Sequence, residues 1–499
     1  MKNWIQLILI LFFPLIGLCQ TGPGGVGTTG GTSSLEIWLD ASNEASITLS
    51  GSSVTQWNDI SGNGNHFTPT TSTSPTFTSG SGQVVFSDSP MKLGSKISFP
   101  ERLFFVTNVR SPYGNVSLLY FGDQSANAKR FNFSYNANDY RFETDGGGLL
   151  PSPAAGGTIM EIDYGGNGNP LTAIDFILDG ASSTKAQWWG NNINMNLNST
   201  DSFRLGRNHA SNLLEADFKE MICFDTDINQ AQQIIIRNYL AAKYASTLSK
   251  FDIFNEDDAG NGNYDHDVAG IGRVDASNIH NDAQGSGIVR ILNPTNLGNN
   301  EFLIWGHDNG EQRAKDTTDV PSSVQERFER TWRVSEVDTQ GSAVNVGAID
   351  IRFDLSDFTS VTASHLRLLV DTDNNGAFNN ETPISGATSL GGNIYQFAGV
   401  TAIANNLRFT LGTTDTNQTP LPVELLSFDA ELMDNQHVKL NWQTASEINN
   451  DFFTIERSSN GNNWQEVNKI KGAGNSSSRL RYSEIDYNPY NGLSFYRLK

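Results

Sequence analysis

Cysteine is nearly absent: the 499-residue chain has two, Cys19 inside an N-terminal apolar run and Cys223. Once that run is removed Cys223 is alone, so no intramolecular disulfide is available and stability has to come from large apolar cores. Basic residues are scarce as well, 33 Lys and Arg against 54 Asp and Glu, for a formal charge of -21. This is the reverse of the positive footprint that nucleic acid or an anionic membrane attracts, and neither is expected as a partner. After the first twenty residues no stretch approaches the ~20 apolar residues of a transmembrane segment. The seven histidines are scattered without H-x-x-x-H or H-x-H spacing, so no zinc site is indicated and no Ser, His, Asp set can be assembled. His66 and His307, beside acidic or amide neighbours, read as satisfied turn residues.

What is present points first to export. MKNWIQLILILFFPLIGLCQ places one Lys before an apolar run from Trp4 to Leu18, with Gly17 and Cys19 at the -3 and -1 positions of a signal-peptidase site. Residues 1–19 are read as a signal peptide, with a secreted or outer-surface location after cleavage. Acylation at Cys19 is the other reading, although Leu18 stands where such sites want a small residue. Gly/Thr-rich residues 20–33 read as a flexible linker. Short alternating runs then follow, such as Leu35-Glu-Ile-Trp-Leu39, Val116-Ser-Leu-Leu-Tyr120 and Ile174-Asp-Phe-Ile-Leu178, separated by Gly, Asn, Asp and Ser clusters. The pattern predicts an all-β chain of antiparallel sandwiches. One helix is expected over Asp227 to Ala245, capped by Asp227, with Ile228, Ala231, Ile235, Tyr239 and Ala242 on one face. At roughly 150 residues per domain three domains are expected, at 34–247, 248–416 and 417–499.

Leu35-Glu-Ile-Trp-Leu-Asp-Ala41, Val54-Thr-Gln-Trp-Asn-Asp-Ile-Ser-Gly-Asn-Gly-Asn65, Phe203-Arg-Leu-Gly-Arg207 and Phe218-Lys-Glu-Met-Ile-Cys-Phe-Asp225 resemble, in order, the laminin-G-like, concanavalin A-like lectin/glucanase module. That resemblance implies a jelly roll over residues 34–247, with Trp38 and Trp57 packed in core and rim. Asp267-Val-Ala-Gly-Ile-Gly-Arg273, Phe302-Leu-Ile-Trp-Gly-His307 and Arg330-Thr-Trp-Arg-Val334 resemble an uncharacterised β domain of type IX secretion cargo. Gly270-Ile-Gly272 is read there as a glycine pair in a turn, since no third glycine or helix follows in the way a nucleotide site needs. Leu421-Pro-Val-Glu-Leu-Leu-Ser-Phe428, Val438-Lys-Leu-Asn-Trp442 and Phe495-Tyr-Arg-Leu498 resemble the fibronectin-III-like module of such cargo, which implies the type IX export machinery as a partner. Val438, Leu440 and Trp442 are expected to point inward, with Asn460-Gly461 as a hairpin. The sandwich would lack its last strand, so further sequence is expected beyond Lys499.

Three constellations could carry chemistry. Glu215-Ala-Asp217-Phe-Lys-Glu220 spells E-x-D-x-x-E, which resembles the nucleophile, helper and acid of a glycoside hydrolase family of the same fold. Strict alternation puts Glu215 and Asp217 on one face and Glu220 on the other with Ala216, Phe218, Ile222 and Phe224, so only a bulge would align the three. Asp371-Thr-Asp-Asn-Asn-Gly-Ala-Phe-Asn-Asn-Glu-Thr382 has oxygen donors at loop positions 1, 3 and 5 and Gly at 6, which suits a structural calcium held by Asp371, Asp373, Asn375 and the Ala377 carbonyl. A solvated Asp/Asn/Gly hairpin is the other reading. Asn255-Glu-Asp-Asp258 with Asp265 and Asp267 forms a second acidic turn. Together these features imply an exported, modular, non-catalytic protein that binds polysaccharide or another extracellular glycan or matrix polymer. A glycoside hydrolase using Glu215 and Glu220, or a purely structural adhesin, are the alternatives.

Overall fold

The computed structural model describes residues 20–95, 97, 100–110, 116–122, 130–136, 139–144, 147–152, 158–164, 174–189, 202–206, 215–311, 315–356, 358, 361–416, 425–433, 437–444, 447–459, 464–476, 480–492 and 494–498. The expected signal peptide at residues 1–19, the expected Asn460-Gly461 hairpin and Lys499 lie outside these residues. The chain divides into two compact units, residues 1–228 with 283–286, and residues 229–282 with 287–499. Antiparallel strands dominate both, as the alternation predicts.

The first unit is organised around the strand Glu215–Phe224. Arg102–Val109 pairs along one side of it. On the other side its first half meets Val84–Ser87 and its second half Leu35–Asp40. Ile159–Asp163 and Asp175–Leu178 continue this sheet beyond Arg102–Val109. A second run joins Met91–Leu93, Ser202–Leu205, Val116–Gly122, Arg130–Asn136 and Asp139–Thr144. Leu39, Phe105, Met160 and Cys223 of the first run and Phe121, Phe133, Phe142 and Leu205 of the second share one apolar core, which makes the unit a sandwich.

Residues 20–33 are folded rather than a flexible linker. Pro23–Gly25 form a 3-10 turn closed by the Gly22 N–H on the Gly27 carbonyl. The Gln20 carbonyl accepts the N–H groups of Gln284 and Gly285 at 3.0 Å. Gly25, at φ +85°, has Ala283 so close that a Cβ would lie 2.5 Å from the alanine Cβ. Glycine serves close approach here, not mobility.

In the second unit the helix spans Gln230–Tyr244, with Asn229 and Gln232 forming a reciprocal capping box. The expected cap, Asp227, is instead an ion-pair partner of Arg102. The buried positions Ala231, Ile235, Tyr239 and Ala242 keep the predicted spacing. The helix, placed by its sequence at the end of the first domain, packs on the strand His266–Arg273 of the second unit. Buried Asn238 fastens it: its amide donates to the Phe251 carbonyl, and its oxygen accepts the N–H groups of Ile253 and Phe254. Gly270 and Gly272 lie within that strand and not in a turn, since a Cβ at Gly272 would sit 2.1 Å from the Phe302 ring across the ladder. The sheet continues through Glu301–His307, Trp332–Asp338, Arg408–Thr413 and Leu366–Asp371, and a smaller sheet holds Val289–Leu292, Ile349–Asp354 and Ile394–Val400. The terminal sandwich has two three-stranded sheets around Trp442, with Val438, Leu440 and Trp442 alternating inward as expected.

Candidate functional site

In the strand Glu215–Phe224, Phe218 pairs with Thr107 and Glu220 with Val106, so Lys219 is a surplus residue in the ladder. Its carbonyl accepts the Ala41 N–H at 2.8 Å, at the junction where the strand changes neighbours. The bulge reverses the alternation. Ala216, Phe218, Met221 and Cys223 enter the core, and Glu215, Asp217, Glu220, Ile222 and Phe224 take the opposite face. Strict alternation had separated Glu220 from Glu215 and Asp217; the bulge corrects that and aligns all three.

Their environments differ. Glu215 is half-buried, and Arg110 lies 3.5 Å from it and 2.8 Å from Asp217, which is buried. Glu220 is fully buried, and its Oε1 accepts the indole N–H of Trp38 at 2.8 Å. A general acid has to reach the bond it protonates, and Glu220 is sealed beneath the surface. Trp38 and Trp57 are buried too, so neither presents a ring face to a ligand.

The Asn58-to-Asn65 motif is a structural knot. Asp59 accepts the backbone N–H groups of Trp38, Ser61 and Asn65 and the Ser61 hydroxyl, all within 3.0 Å. The His66 ring accepts the Asp59 N–H at 3.1 Å, which makes it a satisfied turn residue as expected. Beneath the same sheet the Cys223 thiol is fully buried, and burial pushes its pKa well up.

In the second unit, oxygens of Asp371, Asp373 and Glu381 lie within 4.8 Å of one another. Glu381, one step from the twelfth loop position, was not among the expected ligands; its spacing alone hid it. Asn375 and Ala377 take other parts. The Asn375 side chain accepts the Ala377 N–H at 2.8 Å, and the Asn375 N–H donates to Asp371 at 3.0 Å. The Arg408 guanidinium sits 2.5 Å from Asp371. The donors are hard oxygens, the chemistry that calcium prefers, in competition with one guanidinium.

The second acidic turn does not gather into such a group. Asp267, at φ 47°, bonds the buried His307 at 2.9 Å, and the other ring nitrogen of His307 accepts the Asn309 N–H. Glu256 is buried with Arg333 2.7 Å away, yet burial raises its pKa to about 7. Burial and neighbouring Asp252, Asp258 and Asp265 raise Asp257 to about 7 as well.

Residues 232–407 match a family described as a domain of unknown function, DUF8202. The match begins inside the helix Gln230–Tyr244. No curated protein matches the chain. Among solved structures the chain is similar to a native glycosidic hydrolase (TM-score 0.21, 10% identity, covering 31% of this chain and 81% of that one). It is also similar to a prokaryotic beta-1,3-1,4-glucanase from a mouse hindgut metagenome (0.19, 9%, 28% and 72%) and to the binding domain of botulinum neurotoxin DC, solved with rat synaptotagmin II (0.31, 10%, 80% and 91%).

Proposed function

We propose that this is an exported, modular, non-catalytic protein whose first unit binds an extracellular glycan or matrix polymer, with the remaining sandwiches acting as spacers and as adaptors for type IX export. One observation carries the non-catalytic part of this reading: the carboxylate that would act as acid, Glu220, is fully buried and engaged by Trp38. The bulge that aligns Glu215, Asp217 and Glu220 therefore serves packing of the sheet. An all-β sandwich whose candidate acid is closed off from the surface supports binding over cleavage. A leader at residues 1–19 and the acidic surface suit a soluble protein outside the cell.

The test is a glycan array of the full chain with calcium and with a chelator, run beside a reducing-sugar assay on β-glucans. Binding to a defined sugar class without sugar release is expected. A blank array from folded protein overturns glycan binding and favours a structural adhesin. Hydrolysis that disappears in Glu220→Gln while the fold is kept overturns the non-catalytic reading.

A further inference from the structure

The terminal sandwich holds a cavity of about 790 Å³, lined by Ala430, Leu432 and the start of the strand His437–Thr444 on one side and by residues 487–492, Ser494 and Tyr496 on the other. Sites for small organic ligands measure about 300–1,000 Å³. Three tyrosines line this one, Tyr487, Tyr490 and Tyr496, together with His437, Asn488 and Asn491. Among its described lining residues none is Asp, Glu, Lys or Arg.

The inner wall is fixed by its own bonds. The Tyr496 hydroxyl donates to the buried Asp486 at 2.8 Å, and Arg457 bonds the same carboxylate at 2.7 Å. The Tyr490 hydroxyl donates to Gln465 at 3.2 Å, and the Arg457 guanidinium lies 5.2 Å from its ring centre. With these polar groups already engaged, the inner rings are held as rigid walls. The outer rim is different. Tyr487 is 63% exposed, with its ring 5.3 Å from His437 in an edge-on arrangement, and Asn488 and Asn491 are exposed.

Such a rim offers one open aromatic ring and amides that can both donate and accept, with no formal charge. The matching ligand has a C–H face to lay on a phenol ring and neutral hydroxyl groups around it. We propose that the terminal sandwich binds a neutral saccharide in this cavity, against Tyr487, as a second carbohydrate site separate from that of the first unit.

The experiment is saturation-transfer NMR on the full chain with cellotetraose, laminaritetraose, mannotetraose, xylotetraose and chitotetraose, and with a decaproline peptide, comparing wild type, Tyr487→Ala and Asn491→Ala. At least one saccharide is expected to receive saturation from wild type, with affinity about tenfold weaker in Tyr487→Ala and several-fold weaker in Asn491→Ala, at unchanged Tm. No transfer to any saccharide overturns the proposal, and so does transfer to decaproline alone, which would make the cavity a peptide groove. Saccharide binding of full strength in Tyr487→Ala also overturns it and leaves the sugar to the first unit. Binding lost in Tyr487→Ala supports the cavity, and any array signal kept by that variant then reports on the first unit alone.

Discussion

The Trp38 indole nitrogen donates to Glu220 Oε1 at 2.8 Å with neither residue more than 3% exposed, which ties the strand Leu35–Asp40 to the strand Glu215–Phe224 through their side chains as well as their ladder. Glu220→Ala would leave a buried N–H without its acceptor and open a cavity. The expected loss is about 2–4 kcal/mol. Glu220→Gln keeps an acceptor oxygen and should lose less. Denaturant unfolding followed by tryptophan fluorescence measures both, and equal losses would show that the negative charge matters and not the hydrogen bond.

Cys223 sits in the first core with its thiol pKa pushed well up by burial. In native buffer at pH 8 it should resist a thiol reagent such as DTNB, and it should react fully in denaturant. Its labelling rate under native conditions then reports opening of the first unit. Prompt labelling of folded protein would contradict the burial.

The three carboxylates Asp371, Asp373 and Glu381 repel one another at this spacing, and a divalent cation would relieve that repulsion. Millimolar calcium is expected to raise the Tm of the second unit by about 5 °C, with the shift abolished in Asp373→Asn and Glu381→Gln. Titration calorimetry without calcium heat would leave Arg408 as the counter-charge of Asp371 among the described residues and the loop as a hydrogen-bonded hairpin.

Glu256 and Asp257 have folded pKa values raised to about 7 from 4.5 and 3.8. Between about pH 4 and 7 the folded state therefore holds protons that the unfolded state has released. Stability from these two groups is greatest at the acid end of that window and is lost as the pH rises through about 7. Thermal melts at pH 5 and pH 8 should show the second unit less stable at pH 8, and the difference should shrink in Asp257→Asn. An unchanged pH dependence in that variant would place the effect elsewhere.

Much of the fold is legible as alternation. Val438, Leu440 and Trp442 point inward as every second residue demands, and Ala231, Ile235, Tyr239 and Ala242 mark one helix face. Local competition was harder to read. Asp227 and Asn229 are both good helix caps, and Arg102 decides between them by drawing Asp227 into an ion pair. The glycines at 25, 270 and 272 look like turn or linker signals because sequence does not show the side chain of Ala283, Ile304 or Phe302 that each must clear. At the candidate site the residue types were visible while their faces were not, since one surplus residue reverses the parity of all that follow.

Lys219 thereby acts as a phase shift. The ten residues Glu215–Phe224 behave as two short codes read in opposite frames, one keyed to Val84–Ser87 and the other to Leu35–Asp40. Each half can drift in sequence under the constraints of its own neighbour, so long as Lys219 stays out of the pairing between them. Drawing Lys219 into the ladder as an ordinary pairing residue would turn Met221 and Cys223 outward and bring Glu220 into the core, so the bulge at this position is a stricter requirement than the identity of the residues around it.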